Sequence, residues 1–220
     1  MLRWFHGPAT RTMVPTKSIR EVLESRGFKD VVIWERGVLT DIFSLEDPIE
    51  HDLPKPIWVY VGRVAVEKNI EGFLDLDLPG SKMIIGDGPD RERLARQYPD
   101  CHFLGYKFGR ELARNQAGAD VFVFPSKTDT FGIVMLEAMA CGLPVAAFPV
   151  TGPIDVVRPG ETGILDNDLK KACERALDLD PTVCRQYAES RSWTRSTEQF
   201  ISNLAPRAGT ECKLSSQFQT

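Results

Sequence analysis

The stretch DVFVFPSKTDTFGIVMLEAMACGLPVAAFP, residues 120–149, decides the fold. Two short apolar runs that each end in proline, residues 120–125 and 144–149, lie on either side of a segment that is apolar almost throughout. Continuous apolar runs of this length are typical of strands buried on both faces of a parallel sheet, and the segment between them is long enough for a helix. The stretch therefore predicts a strand, a loop, a helix that begins near Phe131, and a second strand.

The same alternation continues on both sides of this unit. Three more apolar runs end in glycine, and helix-compatible segments separate them: IWVYVG (57–62), KMIIG (82–86) and CHFLG (101–105). Residues 163–166 are a further candidate strand, and three consecutive helices are predicted at 168–179, 181–190 and 192–204. Strands that alternate with helices in this way indicate an α/β protein with a doubly wound parallel sheet and helices on both faces.

The first fifty residues form a separate piece. Residues 10–16, 17–27 and 31–34 predict a strand, a helix and a strand, and residues 36–56, rich in proline and charge, predict a linker. One βαβ unit cannot cover its own sheet, so we expect this piece to be the end of a domain whose beginning is missing. The expected divisions are a remnant with its linker at 1–50, a main domain at 51–205 and a disordered polar tail at 206–220.

Composition argues against several classes of function. The chain has 220 residues and a net charge of −4, so it has no global attraction for nucleic acid or for an anionic membrane. No apolar run reaches the roughly 18 residues that a membrane-spanning helix needs. The five cysteines include no CxxC pair and the three histidines lie far apart, which predicts reduced thiols in a cytoplasmic protein and no metal site.

Two carboxylates, Asp129 and Glu137, stand in an otherwise apolar segment. Asp129 or Thr130 is suited to cap the helix by accepting hydrogen bonds from its first amides. Glu137 could lie on a stripe of the helix that faces solvent, where a carboxylate is ordinary. However, apolar residues surround Glu137 on every side of the helical wheel, and a helix that is apolar all round is normally buried. A buried carboxylate is costly without a partner, so binding of a ligand is the competing interpretation.

The segment VGRVAVEKN, which ends at Asn69, resembles a phosphate-binding P-loop but lacks its second glycine. Glu67 stands in that place and Asn69 replaces the usual Ser or Thr, so an ATPase is a poor interpretation. Arg63 and Lys68 remain as two cations at a strand end, and Gly62 permits close approach of a ligand. These cations either bind a diphosphate or are solvated surface charges.

Two further motifs carry less information. IIGDGPDRER, residues 84–93, begins like the GxGxxG of dinucleotide-binding folds, but Arg91 replaces the third glycine and no acidic residue ends the next strand. A tight turn between strand and helix explains this segment equally well. Residues 75–77 have the DxD spacing of a manganese site, yet the same spacing recurs at residues 166–168 and 178–180.

The start of the helix near Phe131 is a stronger candidate site. Ligands of open α/β sheets lie outside the carboxyl ends of the strands, and a helix N-terminus there offers free amides and a partial positive charge. Asp129 precedes this helix and Glu137 lies inside it, with at most about 12 Å of helical rise between them. A nucleotide sugar has matching parts: one carboxylate would bind the hexose, the other the ribose, and the helix start the diphosphate between them.

Several motifs together resemble the donor-binding half of the family 4 (group 1) retaining glycosyltransferases. In chain order they are VGRVAVEKN, IIGDGP, FLGY, ADVFVFPSKTDTFGIVMLEAMACGLPVAA and TGPIDVVRPGETGIL. The resemblance covers about residues 10–204 and implies a Rossmann-like C-terminal domain of the GT-B fold with a remnant of the N-terminal domain. It also implies transfer of a hexose from a nucleoside-diphosphate sugar with retention of anomeric configuration and without a metal or other cofactor.

The resemblance implies roles for individual residues as well. The family's Glu-x7-Glu signature is present here as Asp129-x7-Glu137, which places Asp129 at the donor hexose and Glu137 at the ribose. Arg63 and Lys68 would neutralise the diphosphate, so the expected catalytic residues are Arg63, Lys68 and Asp129. The other expected donor-binding residues are Gly62, Tyr106 beside the base, and Phe131, Gly132 and Ile133 through their backbone amides.

The sequence departs from the family pattern at two positions and in its extent. Asp129 is shorter than the usual Glu, and Leu39 stands where the linker usually carries Asp. The family's acceptor-binding domain should precede the present start, with only residues 10–34 remaining, and the helix at 192–204 would normally pack on that domain. We therefore expect a truncated chain that is inactive without the missing domain.

Two classes of function remain in competition. The leading hypothesis is the donor half of a hexosyltransferase in the cytoplasm, in solution or peripherally at the inner face of the membrane. Its partners would be the nucleotide-sugar donor, a lipid or glycan acceptor and the missing domain, but no nucleic acid. The alternative is a non-catalytic nucleotide-sugar-binding or scaffold protein. Neither the donor's hexose and base nor the identity of the acceptor follows from the sequence.

Overall fold

The computed structural model describes residues 9–205, and these form two sheets with their helices. The strands are β1 (Thr12–Val14), β2 (Val31–Ile33), β3 (Ile57–Val61), β4 (Ser81–Ile85), β5 (His102–Gly105), β6 (Val121–Phe124), β7 (Val145–Ala147) and β8 (Gly163–Leu165). The helices are α1 (Lys17–Ser25), α2 (Ile70–Leu74), α3 (Arg91–Gln97), α4 (Gly109–Ala117), α5 (Ile133–Ala140), α6 (Pro153–Val156), α7 (Leu169–Ala176), α8 (Pro181–Glu189) and α9 (Trp193–Asn203). A short 3-10 helix, Val66–Lys68, precedes α2.

The larger sheet has six strands in the order β5-β4-β3-β6-β7-β8, and all of its pairs are parallel. Every residue of β3 and of β6 is buried, because helices cover both faces of the sheet. Successive side chains of β3 enter opposite cores: Val59 packs with Phe122 in one, and Trp58 and Tyr60 pack in the other. The predicted α/β class with a Rossmann-like doubly wound sheet is confirmed.

The strand order places a crevice at the carboxyl ends of β3 and β6. From β3 the chain builds β4 and β5 on one side and then returns to pair β6 with the other side of β3. At such a switch point the connections leave in opposite directions, so the loops that follow the two strands face each other across a gap. The loop from Gly62 to Asn69 and the loop from Pro125 to Gly132 form the walls of this gap.

The first piece of the chain forms a small sheet of its own. β1 and β2 pair in parallel, and α1 connects them. The last helix, α9, packs on this piece: the rings of Trp34 and Phe200 lie 4.9 Å apart, and the Ser196 hydroxyl donates to the Glu35 carbonyl. The Ser18 amide and hydroxyl also donate to Asp155 of α6, which joins the piece to the main domain. The last helix, which was expected to pack on the missing acceptor domain, thus packs on this first piece of the chain.

The segment expected to be a linker is packed against the main domain. The Arg185 guanidinium of α8 donates to the carbonyl oxygens of Thr40, Phe43 and Ala140, so that one side chain fixes the segment to α5. The domain boundaries at residues 50 and 205 stay predictions. The tail at 206–220, predicted to be disordered, lies outside the described residues.

Two further sequence-based expectations concern the membrane and the thiols. Within residues 9–205, no helix combines the length and the apolarity needed to cross a bilayer. The four cysteines in this range, Cys101, Cys141, Cys173 and Cys184, form no disulfide.

Candidate functional site

The structure brings Lys68 and Asp129 together, although 61 residues separate them in sequence. Lys68 ends the 3-10 helix after β3, and its Nζ lies 2.9 Å from Asp129 Oδ2 in the loop after β6. Their side chains are only 25% and 18% exposed, so Lys68 is not a solvated surface charge. Arg63 is different, because its guanidinium is 65% exposed and lies 3.5 Å from Glu67.

The Asp129 carboxylate is held in its ionised form. Burial by itself would raise its pKa, but the hydrogen bond and charge of Lys68 and the amides of Phe131 and Thr130 outweigh burial and lower the pKa below its ordinary value. Asp129 Oδ1 accepts from these amides at 2.8 Å for Thr130 and 3.3 Å for Phe131. The Phe131 amide, which the resemblance assigned to the donor, is therefore engaged by Asp129, while the Phe131 side chain lines the cavity.

The helix after this loop begins with Ile133, two residues later than predicted, and neither Asp129 nor Thr130 caps it. Its N-cap is Gly132, with φ 74° and no side-chain hydrogen bond to the first amides. A Cβ at this position would lie 2.6 Å from the Met135 methyl carbon, so both the conformation and the space require glycine. Residues 132–134 line the cavity beside Lys68, which places an uncapped helix N-terminus at its wall.

Glu137 lies in the second turn of α5 and has no compensating partner. Among residues 9–205, no side chain or amide makes a hydrogen bond or ion pair with its carboxylate. Burial raises the pKa of Glu137, as expected for a carboxylate whose neighbours in α5, Leu136 and Ala138, are fully buried. The half-buried Glu137 lines a cavity. The solvent-facing stripe is therefore the wrong interpretation of this residue.

Two adjoining cavities occupy the crevice. The first, about 520 Å³, contains Lys68, Asp129 and the start of α5. The second, about 630 Å³, contains Glu137 and Tyr106. Both have the same four residues in their walls, so they meet along one line: Val61, Gly62, Arg63 and Val134. The predicted site residues thus lie along one continuous groove, with the two carboxylates in different cavities.

The outer rim of the second cavity is aromatic. Tyr106 is 60% exposed, and its ring meets the ring of Phe108 edge-to-face at 4.2 Å. Phe108 was not among the predicted site residues, although it lines the same cavity. Its spacing of two from Tyr106 in the turn after β5 was the available signal. Exposed aromatic faces are suited to stacking on a planar ring.

Two residues that the sequence analysis did not single out shape the loops of the groove. The buried Tyr60 hydroxyl donates to the Arg63 carbonyl at 2.9 Å, and burial, followed by the charges of Asp129 and Glu67, raises its pKa. The Asn69 side-chain amide donates to the Pro125 carbonyl at 3.0 Å and so ties the two loops together. Asn69 was noted only as a departure from the P-loop pattern.

The weaker motifs have structural roles. A Cβ on Gly86 would lie 1.9 Å from the Gly62 carbonyl oxygen, so the IIGDGP segment uses glycine to let two loops touch, and Gly86 and Asp87 also line the second cavity. Of the DxD residues, Asp168 and Asp180 cap α7 and α8, and Asp77 is fully exposed beside Lys170. Across the described part of the chain, no group of three His, Cys, Asp or Glu side chains is arranged to hold a metal ion.

Comparison with known proteins agrees with this geometry. The family model described as "Glycosyl transferases group 1" matches residues 55–179, more than half of the chain. The GDP-mannose-dependent alpha-mannosyltransferase of Mycobacterium tuberculosis is 37% identical over 175 residues, which are 74% of this chain and 46% of the relative. The protein of the same description from Mycolicibacterium smegmatis is 38% identical over 83% of this chain and 48% of its own length. This chain thus spans about half the length of these relatives.

Solved structures show the same fold. The apo form of the lipopolysaccharide outer core galactosyltransferase WaaB superposes with a TM-score of 0.73 at 21% identity, over 89% of this chain and 61% of that one. A sucrose-phosphate synthase from Thermosynechococcus elongatus gives 0.72 at 28% identity, over 86% and 56%. The sheet, the groove, the family match and the mannosyltransferase relatives agree, and the chain belongs to the group 1 glycosyltransferases with the fold of their GT-B C-terminal half.

Proposed function

We propose that this chain binds a nucleoside-diphosphate sugar and forms the donor half of a hexosyltransferase that retains anomeric configuration. One observation carries the proposal: the Lys68–Asp129 pair lies beside an uncapped helix start, and an unpartnered Glu137 lies in the adjoining cavity. A diphosphate between two polyhydroxylated groups supplies an anion for the first feature and hydroxyl donors for both carboxylates.

The leaving group sets the catalytic demand. When the bond from the anomeric carbon to the diphosphate breaks, negative charge grows on the departing oxygen, and preorganised cations and amides stabilise it. Lys68 Nζ is held in place by Asp129, Arg63 lies at the line where the two cavities meet, and the amides of α5 complete the set. We propose that these groups act without a metal ion or other cofactor.

The two carboxylates have separate roles in this proposal. Asp129 orients the hexose through its hydroxyls while it holds Lys68 at the diphosphate. Glu137 accepts hydrogen bonds from the ribose diol, which would compensate its burial. The base then stacks at the rim near Tyr106 and Phe108. Gly62 gives the backbone close approach to the donor where the two cavities meet.

The relatives suggest which donor to test first. Three mannosyltransferases that are 33–38% identical to this chain are described as GDP-mannose-dependent, so GDP-mannose is the first donor to examine. Transfer also needs an acceptor held against the anomeric carbon, and such positioning can supply about 7–11 kcal/mol of barrier reduction. This chain spans about half of its relatives, and we propose that it transfers no sugar at a useful rate without an acceptor-binding domain.

Calorimetry with GDP, UDP and ADP tests the proposal directly. We expect at least one nucleoside diphosphate to bind, and a folded sample that releases no heat with any of them would refute the donor site. Joining an acceptor-binding domain to the N-terminus of this chain should convert binding into transfer. Binding that never leads to transfer in the joined protein would favour a non-catalytic nucleotide-sugar-binding protein.

A further inference from the structure

One cation in the first cavity does not come from the donor loops. Arg36, in the segment between β2 and β3, lines the cavity that contains Lys68 and Asp129. Trp193, the first residue of α9, lines the same wall. This wall is built by the first piece of the chain and the helix packed on it, whereas the proposed diphosphate site is built by the loops after β3 and β6.

Arg36 is held in position by packing. Its guanidinium carbon lies 4.5 Å from the centre of the Trp34 ring. That ring is itself fixed, because Trp34 Nε1 donates to the Ser196 carbonyl at 3.2 Å and Phe200 packs against it. On the other side of Arg36, a Cβ on Gly37 would lie 2.5 Å from the Trp193 backbone, so the two segments are in direct contact.

The charge of Arg36 has no counter-ion within residues 9–205. The neighbouring carboxylate, Glu35, is engaged by Arg191 at 2.8 Å. Arg195, in the same cluster, donates to the Ser190 carbonyl. Arg36 itself makes no hydrogen bond or ion pair with any residue in the described range, and its interaction there is with the Trp34 ring. Among the described residues, three arginines and one carboxylate, Glu35, line this cluster, so two of the three positive charges, those of Arg36 and Arg195, have no counter-ion. Of these two arginines, Arg36 lines the first cavity.

We propose that Arg36 binds an anionic group of the acceptor, a phosphate ester, and holds the acceptor over the anomeric carbon. This rests on the proposed function, because it assumes that the donor diphosphate occupies Lys68, Arg63 and the start of α5. A planar guanidinium that is stacked on a ring keeps its edge free, and that edge matches two phosphate oxygens at once. The acceptor side of the cavity then selects phosphate-bearing acceptors over neutral ones.

The test titrates sn-glycerol 3-phosphate, with glycerol as the neutral comparison, into the full chain saturated with GDP. The readout is the NMR signal of the Arg36 side-chain Nε–H, assigned by its loss in Arg36→Lys. We expect glycerol 3-phosphate to shift this signal saturably and Arg36→Gln to weaken its binding by about ten-fold or more, as for a lost hydrogen bond to a charged group. Arg36→Lys should retain part of the affinity.

Arg195→Gln is the matched control, since it removes a charge from the same cluster without touching the cavity. Equal weakening by Arg195→Gln and Arg36→Gln would mean diffuse attraction and overturn the proposal. Unchanged binding of glycerol 3-phosphate in Arg36→Gln would also overturn the proposal. A loss of GDP affinity in Arg36→Gln as large as its loss of glycerol 3-phosphate affinity would do the same, because it would assign Arg36 to the donor. Failure of GDP to bind the unaltered chain would instead refute the donor site, and the titration would then compare Arg36→Gln with the chain free of nucleotide.

A second arm separates the sources of the phosphate ester. Phosphatidylcholine vesicles with and without phosphatidic acid are sedimented with the chain and with Arg36→Gln. Retention that requires both phosphatidic acid and Arg36 assigns a lipid headgroup, whereas binding of glycerol 3-phosphate alone assigns a water-soluble acceptor. Absence of both overturns the proposal.

Discussion

The two carboxylates of the groove lie on one short segment and have opposite surroundings. Asp129 has Lys68 at 2.9 Å and two backbone amides, and its pKa is lowered despite burial. Glu137 has no partner in the described range, and burial raises its pKa. The protein therefore compensates one charge internally and leaves the other for a ligand to compensate. A buried carboxylate without a partner, such as Glu137, lowers the stability of the fold, and such a cost is typical of a binding site.

Of the substitutions that test this contrast, removal of the Lys68 side chain should have the largest effect on nucleotide affinity. Lys68→Ala deprives both Asp129 and the bound diphosphate of their cation, and we expect nucleoside diphosphate affinity to fall by about 1.5–3 kcal/mol, as for hydrogen bonds to charged groups. Calorimetry measures the loss. Lys171→Ala, which removes an exposed lysine paired with Asp168 on α7, is the control and should leave affinity unchanged. A loss below about 0.5 kcal/mol in Lys68→Ala would mean that Lys68 does not bind the diphosphate.

Exchange of each carboxylate for its amide should separate the two roles. Glu137→Gln is expected to weaken GDP and GDP-mannose alike, since both contain ribose, and to raise the free energy of unfolding at pH 7 by on the order of 1 kcal/mol, because an uncompensated buried charge is gone. Asp129→Asn should weaken GDP-mannose more than GDP and should lower stability. Calorimetry and urea unfolding on both variants supply the data. A change of stability in the same direction and of the same size in both variants would contradict the proposed difference between a compensated Asp129 and an uncompensated Glu137.

The pH dependence of stability should differ in sign between the two residues. The pKa of Asp129 is below its usual 3.8 in the folded state, so its contribution is present above pH 3.8 and is lost as the pH falls through the folded-state pKa. The pKa of Glu137 is above its usual 4.5, so its contribution is present below pH 4.5 and is lost as the pH rises through the folded-state pKa.

Urea unfolding from pH 3 to pH 7 measures this difference. Asp129→Asn and the unaltered chain should approach each other in stability as the pH falls from 3.8 through the folded-state pKa of Asp129. Glu137→Gln and the unaltered chain should have converged below pH 4.5 and should separate above it. If the stability of Glu137→Gln varied with pH in parallel with that of the unaltered chain, the charge of Glu137 would already be compensated in the free protein.

The smallest expected effect concerns the loop that carries the cations. Tyr60→Phe removes the hydroxyl that donates to the Arg63 carbonyl, and stability should fall by about 0.5–1.5 kcal/mol, the net value of one hydrogen bond. Because this bond holds the end of β3, nucleotide affinity should fall less than in Lys68→Ala. Thermal unfolding and calorimetry measure the two quantities. An affinity loss in Tyr60→Phe as large as that in Lys68→Ala would show that loop geometry outweighs charge.

Much of the fold could be predicted because strands buried on both faces are continuous apolar runs, as in residues 57–61 and 121–124. The sequence also predicted that Lys68 and Asp129 follow the carboxyl ends of strands, but it did not predict their ion pair, which depends on β3 and β6 being neighbours in the sheet. The start of α5 at Ile133 could not be predicted from the sequence, because the αL turn at Gly132 and the hydrogen bonds of Asp129 are settled by local packing.

Other features of the site depend on distant contacts that no local pattern encodes. Tyr60 reads as one more apolar strand residue, and only the folded loop shows its hydroxyl beneath Arg63. Arg36 and Trp193 share a cavity wall although they are 157 positions apart in the sequence. Their approach depends on how α9 packs on β2, and periodicity gives no information about that packing.

The chain passes between the small sheet and the main domain twice, and the two passages touch. Val38 pairs with Ser192 as an isolated bridge, and the Val38 amide donates to the Arg191 carbonyl at 2.9 Å. Arg185 anchors the segment immediately after Val38 to the main domain. Any rotation of the small sheet must therefore turn about one pivot at Val38 and Ser192 and must break the contact of Ser18 with Asp155. Since Arg36 and Trp193 flank that pivot and line the first cavity, the shape of this cavity depends on how the small sheet is oriented on the main domain.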